Sequence, residues 1–221
     1  MDATTTTGEG MFIAIEGRDG SGKTSQSMSV AEAIGAEWRC FPDRRTPIGK
    51  LIDLHLKKRW TAVFVAEDET REVTSEHLDG LTFQALQLAN RAEVVSEFAA
   101  TLAAGGRIVC DRYWGSGYAY GVADGLDPEY MIKIHDYLPK PDLNVLIDVP
   151  TAVSVGRLAG RGGVVERYEG SLAFMEIVAE NYRDLWESKR ADPHWVVVDG
   201  SGTHEATFAK LMALLPPYLK R

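Results

Sequence analysis

Cysteine is scarce in this chain of 221 residues, with Cys40 and Cys110 the only two. Two thiols cannot build a disulfide framework or a four-ligand zinc site. Both sit in short apolar runs, which reads as a pair of reduced core thiols in a cytoplasmic protein. Long hydrophobic stretches are missing as well: nothing approaches the run of about 18 apolar residues that a membrane-spanning helix needs. Positive charge is in deficit, since 24 Lys and Arg against 32 Asp and Glu leave a net charge of −8. That balance argues against a nucleic-acid coat or an anionic membrane surface as partner. The opening residues, MDATTTTGEG, have neither the basic end nor the apolar run of a signal peptide. They are expected to form a flexible N-terminal tail over 1–10. Repeats, low-complexity blocks and linkers are lacking, so 11–221 is expected to fold as a single domain.

What remains is the composition of an ordinary globular protein, 45% apolar and 25% charged. Apolar runs alternate with helical patterns. Strands are expected at Met11–Ile15, Arg107–Cys110, Leu143–Val149 and Trp195–Asp199, with a short one near Trp38–Phe41. Continuous apolar strands separated by helices predict an α/β fold with a parallel five-stranded sheet flanked by helices on both faces. Thr46 before Pro47 opens a helix to about Lys58, and Asp127 before Pro128 opens one to about Leu138. Thr151, Ser171 and Thr203 are candidate caps for three more. The longest helix is expected from near His77 to Gly105, because Leu81, Ala85, Leu88, Ala92, Val95, Phe98 and Leu102 recur every three or four residues. The acidic stretch Glu67–Glu72 reads as a solvated surface segment between helices. The glycines around Arg161 lie between two helices, where a mobile flap would attach.

The strongest local signal is GRDGSGKT, Gly17 to Thr24, which matches the G-x-x-x-x-G-K-[ST] phosphate loop between a buried strand and a helix. Its glycines let successive backbone N–H groups turn toward phosphate oxygens, and the following helix adds its positive end. Gly17, Arg18, Asp19, Gly20, Ser21, Gly22, Lys23, Thr24 and Ser25 are therefore the expected ATP-binding residues. Lys23 would neutralise the outer phosphates and Thr24 would hold Mg²⁺. Arg44, Arg91 and Arg112 lie near expected strand ends or in the long helix, and arginine suits forked recognition of phosphate or a base edge.

Taken together, these stretches resemble the thymidylate kinases. The residues that carry the likeness are FIAIEGRDGSGKT, Phe41-Pro42-Asp43-Arg44, Ala89-Asn90-Arg91, Asp111-Arg112-Tyr113 with Ser116 to Tyr120, Pro139 to Asp142, and Glu166-Arg167-Tyr168-Glu169. They fall in the family's order from about Met11 to Asp199. The resemblance implies a three-layer P-loop nucleoside monophosphate kinase with a mobile lid at about 157–170. Its implied activity is transfer of the γ-phosphate of ATP to dTMP, with Mg²⁺, in a homodimer. Arg44 and Arg112 would grip the acceptor's phosphate, and Arg91 would bond its base. Asp19 would hold the 3′-hydroxyl, and Asp111 would reach the metal. Ser116, Gly117 and Tyr120 would line the base pocket, and Tyr168 would pack on the deoxyribose.

Two departures from the family pattern leave alternatives open. Gln87 stands where many members stack an aromatic on the base. Phe83, one helical turn earlier on the same face, is the substitute, or the acceptor is dUMP or a 5-modified dUMP. Gly20 follows Asp19 where some members carry the transition-state arginine. That cation is then expected from the lid, as Arg161, with Arg157 or Arg18 as alternatives. An unphosphorylated nucleoside as acceptor, or a nucleotide-binding module without transfer activity, are the remaining readings.

Overall fold

The computed structural model describes residues 10–57, 61–66, 69–74, 78–161, 171–188 and 194–219. The expected tail at 1–9 lies outside them. The chain runs β1 (Met11–Glu16), α1 (Lys23–Ile34), β2 (Glu37–Cys40), α2 (Pro47–Leu56), β3 (Thr61–Ala66), β4 (Glu69–Thr74), α3 (Gly80–Ala92) and α4 (Val95–Ala103). It continues with β5 (Arg107–Asp111), α5 (Trp114–Ala123), α6 (Pro128–Ile134), β6 (Leu143–Asp148), α7 (Thr151–Arg161), α8 (Leu172–Ser188), β7 (Trp195–Asp199), α9 (His204–Leu214) and α10 (Pro216–Leu219).

Five strands form one sheet in the order β2-β5-β1-β6-β7, every pair parallel. All six residues of β1 are buried, because the strand is central and covered on both faces. Its side chains alternate between two cores. Phe12 and Ala14 join Phe98, Tyr118 and Tyr182 on the α4, α5 and α8 side. Met11, Ile13 and Ile15 join Val30, Ile34 and Leu211 on the α1 and α9 side. The strand order reverses at β1, so the loops after β1 and β5 diverge there and leave the crevice in which open α/β sheets bind ligands.

The caps at Thr46, Asp127, Ser171 and Thr203 form as expected, accepting from Gly49, Tyr130, Phe174 and Ala206 N–H groups respectively. Thr151 does not cap. Its hydroxyl accepts instead from the Arg18 guanidinium at 2.8 Å.

One expectation is corrected. The long helix breaks at Glu93–Val94 into α3 and α4. Asn90 is pinned to the start of α2, accepting from Asp43 N at 2.7 Å and donating to Thr46 Oγ1 at 2.8 Å. The break lets Val94, Phe98 and Leu102 turn into the core while α3 presents a different face to the crevice. The acidic stretch lies between two helices as expected, α2 and α3. Its described part enters an antiparallel hairpin, Thr61–Ala66 against Glu69–Thr74, in keeping with the β-forming run at Val63-Phe64-Val65. α5 is a helix despite three glycines that weaken its propensity. They admit close neighbours: a Cβ at Gly117 would stand 2.5 Å from His135 Nε2, and one at Gly121 2.6 Å from Met131 Cε.

Candidate active site

The first wall of the crevice is backbone. Gly17, Gly20 and Gly22 take positive φ values of 150°, 77° and 88°, the left-handed region that glycine enters at little cost. At Gly20 no side chain would fit, since a Cβ would stand 2.4 Å from the Ser154 carbonyl oxygen. Gly22 ends the loop and α1 begins at Lys23, so the helix N-terminus faces the cradle. The Lys23 ammonium is buried across the loop. It donates to the Arg18 carbonyl at 3.2 Å and lies 3.6 Å from Asp19. Burial lowers its pKa, aided by Arg112 and opposed by Asp19 and Asp111. Ser25 folds back on the Gly22 carbonyl at 2.9 Å.

A charged knot joins this wall to the next. Asp19 accepts from the Arg112 guanidinium and, at 2.8 Å, from the Tyr120 hydroxyl. Burial alone would raise its pKa, but Arg112 and Lys23 outweigh that and hold the carboxyl well below the usual range. Arg112 takes a left-handed backbone, φ 63°, immediately after β5. It donates to Gly17 O and Ser116 Oγ, and its guanidinium lies 5.2 Å from the Tyr120 ring centre. Asp111 ends β5. Its Oδ2 accepts from the Thr24 hydroxyl at 2.5 Å, whereas its buried Oδ1 has no partner.

The opposite wall is α3. Phe83, Gln84, Gln87 and Arg91 all line the cavity, as the shared helical face of Phe83, Gln87 and Arg91 predicts. Arg91 is 2% exposed, and its Nε and Nη1 have no hydrogen-bond partner. Burial pushes its pKa down to about 10, with Glu16 the chief opposing charge. Ser116, Gly117 and Tyr120 of α5 complete the wall. Arg44 lies at the mouth, 3.0 Å from Asp53 and about half-exposed. The cavity enclosed between the loop, α3 and α5 measures about 820 Å³.

Of the three arginines considered for the transition state, Arg18 points away. It is 3% exposed and bonds the Val149 carbonyl and Thr151. Arg157 lines the cavity but donates to the carbonyls of Ser21, Gly200 and Gly202. Arg161 is the last residue of α7. Tyr168, Arg167 and most of the expected lid lie outside the described residues. Cys110 is buried as expected, but Cys40 is only half-buried and lines the cavity rather than the core.

Sequence reasoning assigned no role to Glu16. It is fully buried at the end of β1 and accepts from Tyr113 N (2.9 Å), Ser116 N (3.2 Å) and Ser116 Oγ (2.6 Å). It thereby ties the first turn of α5 to the residue before the phosphate loop. A carboxylate closing a wholly apolar strand was the available signal.

The thymidylate kinase family model matches residues 15–211. The chain belongs to the thymidylate kinase family. It is 32% identical over 213 residues to a probable thymidylate kinase of Pyrococcus horikoshii, covering 93% of this chain and 96% of that one. It is 34% identical over 202 residues to a thymidylate kinase of Danio rerio, covering 89% and 85%. Among solved structures, the thymidylate kinase of Candida albicans superposes with a TM-score of 0.74 at 27% identity, over 94% of this chain and 92% of the other. Among the described residues no helix is long and apolar enough to cross a membrane.

Proposed function

We infer that this family member is an ATP:dTMP phosphotransferase. The observation that carries this is a single cavity with a backbone phosphate cradle at one end and the buried, unpartnered Arg91 at the other. The cradle and Lys23 hold the triphosphate of ATP. Arg112 and Arg44 bind the acceptor's phosphate, with Arg44 released from Asp53 when the anion arrives. Arg91 donates to the base. Phe83 takes the stacking role beside Gln87, Tyr168 packs on the deoxyribose and Asp19 receives the 3′-hydroxyl.

Thr24 and Asp111 fit a magnesium ion. The buried Asp111 Oδ1 has no other partner, and Mg²⁺ keeps most of its waters, needing only one or two protein oxygens beside the phosphates. When bound it would supply charge neutralisation to the donor's phosphates. The protein's own work is alignment. Lys23 meets the charge on the donor, and Arg112 sets an acceptor phosphate oxygen in line with the γ-phosphorus. No general base is needed, because a phosphate monoester is already an adequate nucleophile near neutral pH. The clash that a Cβ at Gly20 would make with Ser154, the inward turn of Arg18 and the ties of Arg157 to three carbonyls support Arg161 as the transition-state cation.

The half-buried Gln87 at the cavity favours one second reading, in which dUMP or a 5-modified dUMP is the better acceptor. A coupled assay with ATP and Mg²⁺ against dTMP, dUMP, dCMP, dGMP and thymidine tests both. Turnover of dTMP with the highest kcat/KM supports the first. A higher value for dUMP supports the second, and no turnover of any monophosphate rejects both. The protein works as a homodimer, a state that the exposed Leu51 and Leu54 on α2 suit and that light scattering measures. The free thiols at Cys40 and Cys110 suit a cytoplasmic setting.

A further inference from the structure

Gln84 takes no part in the contacts described so far, yet it lines the same cavity. It is 2% exposed, and its Oε1 is buried with no hydrogen-bond partner. Buried carboxamide oxygens are seldom left unpaired, because the group loses its water without compensation. Seven residues separate Gln84 from Arg91, two helical turns, so both lie on one face of α3. The Nε and Nη1 of Arg91 are unpaired in the same way. Apolar surface lies beside them, with Phe41 under the Arg91 guanidinium at 6.0 Å from the ring centre and Phe83 and Leu56 at the cavity, along with the polar Gln87 and Ser116. The Gln84 side chain is confined, too: a Cβ at Gly121 of α5 would already stand 3.4 Å from its Cγ.

One face therefore carries cationic donors and, two turns away, an amide that has both an acceptor and donors. A planar ring that pairs with both presents a carbonyl oxygen next to an N–H group. That is the O4 and N3–H edge of uracil and thymine. Cytosine presents the reverse, an amino group at position 4 and a lone pair at N3. The Gln84 amide can turn over to meet either pattern, but Arg91 has only donors. Arg91 selects the carbonyl, and this sets which way the amide must face.

We propose that Gln84 is a further specificity-determining residue, reading the N3–H of the acceptor base through Oε1 while Arg91 meets the carbonyl at position 4. The proposal rests on the monophosphate kinase reading above and deepens it. It also accounts for thymine and uracil being equally compatible with this edge, since the 5-methyl group is not what Gln84 meets.

The test compares dUMP with dCMP, which differ only at this edge, in the wild type and in Gln84→Met. Methionine keeps the length and removes the hydrogen bond. The kcat/KM for dUMP and dTMP is expected to fall about 10- to 100-fold while that for dCMP stays within about threefold, so the dUMP-to-dCMP preference drops by at least about tenfold. Equal losses on both acceptors mean a packing role and overturn the proposal. A second measurement needs no variant. In the wild type, N3-methyl-dTMP is expected to lose at least about 100-fold in kcat/KM against dTMP. A smaller loss overturns the proposal even if Gln84→Met does not fold. Should the wild type phosphorylate neither dTMP nor dUMP, the kinase reading itself fails, which is a different result from a working kinase indifferent to N3.

Discussion

The two ends of the cavity are built on opposite principles. At the donor end the chain binds with its backbone, and Lys23 is already held there by the Arg18 carbonyl and Asp19. At the acceptor end the chain binds with side chains, and polar atoms assigned to the base, Arg91 Nε and Nη1 and Gln84 Oε1, are buried and unpaired. The difference follows from the ligands. A triphosphate offers many equivalent oxygens and is met by curled peptide N–H groups. A base offers one particular edge, and reading it requires polar atoms kept dry and without other partners until the ligand arrives.

The contrast can be broken at several points. The largest expected effect is Lys23→Ala, which should lower kcat by about three orders of magnitude or more with a small change in KM for dTMP, by steady-state kinetics. Arg161→Ala should follow, lowering kcat by about two to four orders with nucleotide affinity kept in calorimetry. An unaltered kcat would return the role to Arg157. Arg91→Lys touches the other end. It should raise KM for dTMP about tenfold or more and leave the affinity for ATP unchanged, because Lys cannot make the forked contact. Loss of ATP affinity in that variant would mean the two ends are not separable.

Two smaller effects sharpen the picture of the acceptor wall. Gly117→Ala drives a Cβ to within 2.5 Å of His135 Nε2. It should cost about 1–3 kcal/mol and lower Tm by about 2–4 °C per kcal/mol in a thermal melt. His135 itself is 1% exposed with Nδ1 2.6 Å from the Met131 carbonyl, and burial, with Arg91 nearby, pushes its pKa down to about 3. Above pH 6.5 the ring is neutral in both folded and unfolded chains and contributes no pH dependence. Below it the unfolded chain takes up a proton that the folded one refuses, so stability is lost as pH falls from about 6.5 toward 3, by up to about 1.4 kcal/mol per pH unit. Urea melts of His135→Gln should show a shallower slope over that window; an equal slope would place the titration elsewhere.

Much of this was readable beforehand, for a reason specific to each region. The central strands are apolar nearly throughout because both faces are covered, so Met11–Glu16 and Leu143–Asp148 stand out without any tertiary knowledge. The phosphate loop is contiguous, and its glycines are demanded by local backbone angles. The break between α3 and α4 was not readable, because the apolar spacing runs on smoothly through Glu93 and only the anchoring of Asn90 on Asp43 and Thr46 interrupts it. Nor was α5, where the glycines argue against a helix until the approach of His135 and Met131 explains them. Arg18, a natural candidate for chemistry by position, turned out to be a fastener between the loop and α7.

The sequence by itself determined the layered architecture and the phosphate cradle, since both depend on short-range patterns: continuous apolar runs, period-3.6 spacing, and glycine angles within eight residues. Only the tertiary structure decided which polar groups are spent and which are free. Arg18, Arg91 and Arg112 are chemically identical side chains. What separates a structural bond, an empty donor and a charge-bearing knot is the set of distant neighbours that packing brings to each, and no local pattern carries that information.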